Sequence, residues 1–180
     1  MDQGKVIGTV YNAQVPEAVR LGYEISRLYG SSLGSWICSA ADVNSMANRM
    51  SSTHLVITIG GDGTILQTVR ETAPWGVPIL AVNLGRVGFM TELQADEALK
   101  NIPQYLTSGE EWVEERSMLE ARILLGDLTQ QISPHQKSAP HLRQPTSFHA
   151  LNDIVVGRGS ITRMIHVEAA VNGFRLPTYY

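Results

Sequence analysis

His54-Leu55-Val56-Ile57-Thr58-Ile59-Gly60-Gly61-Asp62-Gly63-Thr64-Ile65-Leu66 is the stretch whose reading decides the fold. Its first six residues form a short, β-branched, apolar run, the pattern of a strand buried on both faces in a parallel sheet. A glycine turn follows, and then a helix carrying Ile65, Leu66, Val69 and Ala73. The same alternation extends in both directions. Upstream, Val6 to Tyr11 is a short strand. Pro16 stands where a helix opens, Ala18, Leu21, Ile25 and Leu28 recur at helical spacing, and Gly30 closes it. Trp36-Ile37-Cys38 reads as a second strand, and Ala40 to Met50 as weakly helical. Downstream, Pro78-Ile79-Leu80-Ala81-Val82 is a further strand. Strands and helices alternating at this length predict an α/β fold, an open parallel sheet with helices on its faces.

Beyond Gly85 the character changes. Residues 95 to 108 read as a helix, with Ala98, Leu99, Ile102 and Leu106 on one side and Pro103 expected to kink or split it. From Trp112 onward the pattern is β-rich, with candidate strands at 117–125, 150–156 and 164–171. The stretch 129–149, holding Pro134, Pro140 and Pro145, reads as a long mobile connection. The expected organisation is an α/β nucleotide-binding domain over residues 1–111. The beginning of a β-rich second domain follows over 112–180, with edges that this chain leaves unpaired.

Composition narrows the function classes. The 180 residues hold 14 Lys+Arg and 17 Asp+Glu, a formal charge of −3, and 43% are hydrophobic, which supports a sizeable core and excludes wholesale disorder. The sequence pI of about 5.9 argues against a nucleic-acid partner, which asks for a basic face. No apolar run approaches the ~20 residues of a membrane span. The start has no signal-peptide layout. The single cysteine, Cys38, excludes an internal disulfide and suits a reducing compartment, so a cytoplasmic protein is expected.

The glycine turn carries the chemistry. Gly60, Gly61 and Gly63 bring bare backbone N–H groups close to a ligand, and the helix behind them points its positive end at the same spot. Together they make a phosphate seat. A carboxylate there, Asp62, repels phosphate unless it accepts a proton from an attacking hydroxyl or contacts a divalent cation. Thr64 supplies a hydroxyl to a phosphate oxygen or caps the helix. The bland alternative is a tight strand-to-helix turn capped by Asp62 or Thr64. Neither a Walker-type loop nor an ordinary dinucleotide fingerprint is present.

A second glycine-bearing turn, Asn83-Leu84-Gly85-Arg86-Val87-Gly88-Phe89, follows the next strand, so both turns lie at strand carboxyl ends, where open parallel sheets bind ligands. Phe89 could stack on a nucleobase or pack in the core. Asn152 and Asp153 could bond ribose hydroxyls or an adenine edge, or serve only as turn residues.

These segments, together with Glu115-Arg116-Ser117-Met118-Leu119-Glu120-Ala121, resemble the NAD kinase family, in the right order over nearly the whole chain. Lipid kinases of the same superfamily share the Gly-Gly-Asp-Gly motif but not the Asn83 turn. The resemblance implies transfer of the γ-phosphoryl of ATP to the 2′-hydroxyl of the adenosine ribose of NAD, with ATP as donor and a divalent cation, usually magnesium (Mg2+). It implies Asp62 as proton acceptor and Gly60, Gly61, Gly63 and Thr64 along the phosphates. Phe89 would lie against adenine with support from Asn83. Asn152, Asp153 and Arg163 would hold NAD. With the unpaired β-rich half it points to a homo-oligomer; the absence of a long apolar run argues against a membrane partner. The family pattern runs on past Tyr180 to an Asp-Gly pair and a Thr-Pro-Thr-Gly-Ser-Thr-Ala-Tyr segment, so a truncated chain is expected. Two other readings are a lipid or other small-molecule kinase of the superfamily, and a catalytically incomplete nucleotide-binding module.

The remaining polar residues read plainly. His135, His141 and His149 have spacings that fit no compact zinc pattern. Cys38 is a small buried hydrophobe. Glu110, Glu111, Glu114 and Glu115 form a solvated acidic run, and no metal site built by the protein alone is expected.

Overall fold

The computed structural model describes residues 4–85, 90–107, 113–123, 146–156 and 167–177. Its first part is a five-stranded parallel sheet in the order β2-β1-β3-β4-β5. Strands β1 (Ile7–Tyr11) and β2 (Trp36–Ser39) are joined by helix α1 (Pro16–Tyr29), and a 3-10 helical run over Ala40–Ser52 leads to β3 (Leu55–Ile59). Helix α2 (Asp62–Thr72) leads to β4 (Ile79–Asn83). The short β5 (Leu93–Gln94) runs directly into α3 (Ala95–Thr107). The α/β expectation holds, with β5 added at the edge and the weakly helical stretch taking 3-10 form.

Alternation along each strand sorts side chains into two cores. Ile57, Ile59, Leu80 and Val82 pack with Ala18, Leu21 and Ile25 of α1 and Ala98 and Ile102 of α3. On the other face Val10, Trp36, Cys38 and Val56 pack with Val43 and Met50 of the 3-10 run. Each fully buried Ile, Val or Met side chain contributes about 1.5–3 kcal/mol relative to exposure.

Pro103 does not split α3, which runs unbroken through it. Proline removes the N–H that would pair with the carbonyl four residues earlier, that of Leu99. The Tyr29 hydroxyl donates to that carbonyl at 2.5 Å, so the vacancy is filled from α1. At the helix end, Lys5 Nζ donates to the Leu106 carbonyl at 2.7 Å, a cation on an uncompensated C-terminal group.

Among the described residues the later strands fall differently from their sequence pattern. Strand β6 (Leu119–Ile123) pairs antiparallel with β7 (Thr146–Ala150), Leu119 opposite Ala150. The expected strand at 150–156 is therefore displaced into the end of the supposed connection. The ladder ends at the Leu119–Ala150 pair, and residues 151–156 form no strand. Of the expected strand at 164–171 only β8 (Ala170–Val171) forms among the described residues, in a hairpin with β9 (Phe174–Arg175). Asn172 (φ 50) and Gly173 (φ 84) make its two-residue turn. Asn-Gly is the expected signature of such a turn. Strand β7 approaches α2, which ties the β-rich part to the glycine turn's helix.

Candidate active site

The strand order creates the site. From β1 the chain crosses through α1 to β2 on one side, whereas β3 lies on the other side of β1. The connections diverge there, and a crevice opens beyond the carboxyl ends of β1 and β3. A cleft of about 280 Å3 lies at this point. Asn12, Ala13 and Gln14 line it from the turn after β1, Ala40 and Ala41 from the start of the 3-10 run, and Gly61, Gly63, Thr64 and Gln67 from the glycine turn and α2.

The three glycines have different tasks. Gly60 has φ +155°, and an added Cβ would fall 2.3 Å from Thr64 Oγ1 and 3.2 Å from Asn12 Cβ. Its N–H donates to the Val82 carbonyl at 3.0 Å, so it still belongs to the sheet. Gly61 and Gly63 face open space: an added Cβ would meet nothing within 4 Å. These are the positions where a ligand can touch bare backbone. Gly61 is the N-cap of α2 and makes no side-chain cap bond, so neither Asp62 nor Thr64 caps the helix. The N–H groups of Asp62 and Gly63, in the first turn, have no intrahelical partner and sit at the positive end of the helix.

Asp62 is half-buried, and its Oδ1 is buried without a hydrogen-bond partner. An unsatisfied buried oxygen costs about 1–3 kcal/mol, more when charged. Two hydroxyls inside the sheet, Thr9 Oγ1 and Thr58 Oγ1, are likewise buried without a partner; Asp62 differs from them in carrying an ionisable group at the head of α2. Thr64 is buried, and its carbonyl accepts from Thr68 Oγ1 at 2.9 Å. Asn83 ends β4, next to the glycine turn's strand. It is 5% exposed and its Oδ1 accepts the Leu84 N–H at 2.9 Å. Neither Asn83 nor the Asp62 side chain is among the residues that line the cleft; Gly61 and Gly63 on either side of Asp62 are. Asn152 and Asp153 follow β7 directly and are exposed. Phe89 and Arg163 lie outside the described residues. Cys38 is buried, and burial pushes its thiol up to about 11, as an inert packing residue should be.

The sequence reading missed Asn12, Gln14 and Gln67. The switch-point rule applied to β1 as well as β3 would have pointed to the residues just after Tyr11.

Residues 10–110 match the model of the ATP-NAD kinase N-terminal domain. The chain belongs to the NAD kinase family. It is 37% identical over 176 residues to the NAD kinase of Dehalococcoides mccartyi, covering 97% of this chain and 57% of that relative. It is 40% identical over 129 residues to the NAD kinase of Caldanaerobacter subterraneus subsp. tengcongensis, covering 72% of this chain and 40% of that protein. The chain thus spans little more than half the length of the NAD kinase it matches over most of its own residues. The crystal structure of yeast NADH kinase complexed with NADH shares the fold, with a TM-score of 0.63 at 20% identity over 98% of this chain and 55% of that one. For a NAD kinase family member, the glycine turn sits where the fold places ligands.

Proposed function

We propose that this chain carries the catalytic turn of a NAD kinase, which transfers the γ-phosphoryl of ATP to the 2′-hydroxyl of the adenosine ribose of NAD. The observation that carries the reading is the turn itself: Gly61 and Gly63 line the cleft with open faces, and the half-buried Asp62, whose Oδ1 has no partner, stands between them in sequence. Asp62 takes the proton of the ribose hydroxyl as its oxygen bonds to the γ-phosphorus. The bond from that phosphorus to the β-phosphate's bridging oxygen breaks, and ADP leaves. Phosphoryl transfer asks the protein for position and charge stabilisation more than covalent chemistry. The N–H groups of the α2 first turn and the open faces of Gly61 and Gly63 suit that work.

The proposal includes a divalent cation, magnesium, brought with the phosphates rather than held by a cage of protein side chains. Among the described residues no group of three or more His, Cys, Asp or Glu side chains gathers to hold a metal. The phosphates of ATP would hold it with Asp62 at hand, where it would neutralise developing charge. Phe89, Asn83, Asn152, Asp153 and Arg163 make up the NAD side of the proposal. A cytoplasmic, homo-oligomeric protein completes it. No helix among the described residues is long and apolar enough to cross a membrane.

The test is ATP-dependent NADP formation by the chain and by Asp62→Asn. The variant is expected to lose about 100-fold or more in turnover, the scale of a general base, while binding of NAD persists. A near-normal rate removes Asp62 from the chemistry. Binding of both nucleotides by the unaltered chain with no NADP formed overturns the activity for these residues.

A further inference from the structure

We propose that the turn of the β8–β9 hairpin, Asn172-Gly173, is a site of spontaneous covalent modification. The Asn172 side-chain amide is lost there through a cyclic imide, and part of the product carries the main chain through that side chain.

The chemistry starts from the sequence. An asparagine holds its amide carbon, Cγ, within reach of the main-chain nitrogen of the next residue, and attack closes a five-membered ring. A side chain on that next residue hinders the approach. Glycine has none, and its backbone is the freest to turn into line. Asn-Gly occurs once in the 180 residues, at 172–173. Asn12, Asn44, Asn48, Asn83, Asn101 and Asn152 are followed by Ala, Ser, Arg, Leu, Ile and Asp.

The Gly173 nitrogen bonds to Cγ of Asn172 and gives up its proton. The bond from Cγ to the side-chain nitrogen breaks, and ammonia leaves with that proton. Water then opens the ring at one of its two carbonyls. Opening at Cγ gives an aspartate. Opening at the main-chain carbonyl gives an isoaspartate, with the chain running through Cβ and Cγ. Nothing is oxidised or reduced, and water is the co-reactant. The isoaspartate adds a carbon to the main chain inside a two-residue turn, so the strands lose their match across it. Both products replace a neutral amide with a negative charge.

The structure supplies the access. Residues 167 to 177 are all exposed. Val171 and Phe174, opposite each other beside the turn, are 56% and 79% exposed, so little apolar packing holds the strands together. The Arg175–Glu168 contact, at 3.8 Å, joins two side chains that stand in solvent and adds little. A free two-stranded hairpin is marginal in water, and such elements open locally without the rest of the fold. Asn172 also sits at φ 50°, a left-handed conformation less favourable for asparagine than for glycine, and opening relieves it. Asp62-Gly63 gives the contrast within the same chain. It has the same following glycine, but it lies in the first turn of α2, and a carboxylate resists attack where an amide yields.

The test follows the tryptic peptide 164–175, released by cleavage after Arg163 and Arg175, by mass spectrometry. The folded chain stands at neutral pH beside a free synthetic peptide of the same sequence. Conversion in the chain should run within about tenfold of the free peptide, as an element that opens easily allows. Isoaspartyl methyltransferase should label the product, the mark of the imide route, and peptides holding the other asparagines should keep their amides. Gly173→Ala should remove most of the conversion. Alanine at φ +84° also loosens the hairpin, so lost access cannot explain that result. A rate in the chain more than about tenfold below the free peptide overturns the proposal, because the hairpin then protects the site. Conversion without methyltransferase labelling, equal conversion at the other asparagines, or an unchanged rate in Gly173→Ala overturns it as well.

Discussion

Replacing each glycine of the turn with alanine should separate folding from binding. At Gly60 an added methyl would lie 2.3 Å from Thr64 Oγ1 and 3.0 Å from Thr64 Cβ, on a backbone with φ +155°. Thr64 is buried and β-branched, so it cannot swing clear at low cost. The backbone contributes about 1–3 kcal/mol of strain and the overpacking about 1–3 kcal/mol more. The sum, about 2–6 kcal/mol, is a large part of the ~5–15 kcal/mol that holds a domain together. It should lower the melting midpoint on the order of 10 °C for a chain of this size. Gly63→Ala meets nothing within 4 Å and replaces a glycine in the first turn of a helix. It should leave stability unchanged or raise it by up to about 1 kcal/mol. Gly61→Ala at the N-cap should cost no more than about 1 kcal/mol. Both methyls enter the cleft, so both should weaken Mg-ATP binding while folding is kept. Thermal and urea unfolding of the three variants, beside nucleotide titrations, reads this out. A Gly60→Ala protein as stable as wild type, or a Gly63→Ala protein as damaged as Gly60→Ala, would refute the division of labour.

Tyr29→Phe should cost about 1–3 kcal/mol by stranding the Leu99 carbonyl. The loss should shrink in a Pro103→Ala background, where the restored N–H serves that carbonyl; a double-mutant cycle on urea unfolding measures the difference. Cys38, the chain's only thiol, is pushed up to about 11 by burial, so a thiol reagent at pH 8 should label it only after unfolding. Glu120 accepts from Arg122 and Ser147, which lower its carboxyl to about 2. Its folded value is depressed, so its contribution to the β6–β7 pair is present above the ordinary carboxylate value and is lost as pH falls toward 2. NMR titration should find Glu120 ionised at pH 3 in wild type and shifted upward in Arg122→Ala.

The parallel sheet was legible because its strands are buried on both faces and read as continuous apolar runs, Leu55 to Ile59 most clearly. Pro16 and Gly30 marked the ends of α1 for local reasons that tertiary structure left intact. Pro103 leaves α3 unsplit, and the Leu99 carbonyl that it deprives of an N–H is served by Tyr29, 70 residues from Leu99 in sequence, a partner no local pattern reveals. The later strands were harder to place because each is set by its partner's register: β7 ends where β6 begins. At the site, the Gly-Gly-Asp-Gly turn announced itself by composition. Asn12 did not, since a single asparagine after a strand looks like any turn residue until strand order brings it against Gly60.

The notch beyond the strands' carboxyl ends is assembled from chain around positions 12, 40 and 61–64, which converge only when β1 has paired with both β2 and β3. Each pairing is parallel and non-local in sequence, so the notch exists only where the sheet is formed. Whatever fills it therefore meets native molecules alone, and mass action shifts the population toward them. An occupant of the notch therefore stabilises the whole α/β fold, by an amount that grows with its concentration over its dissociation constant.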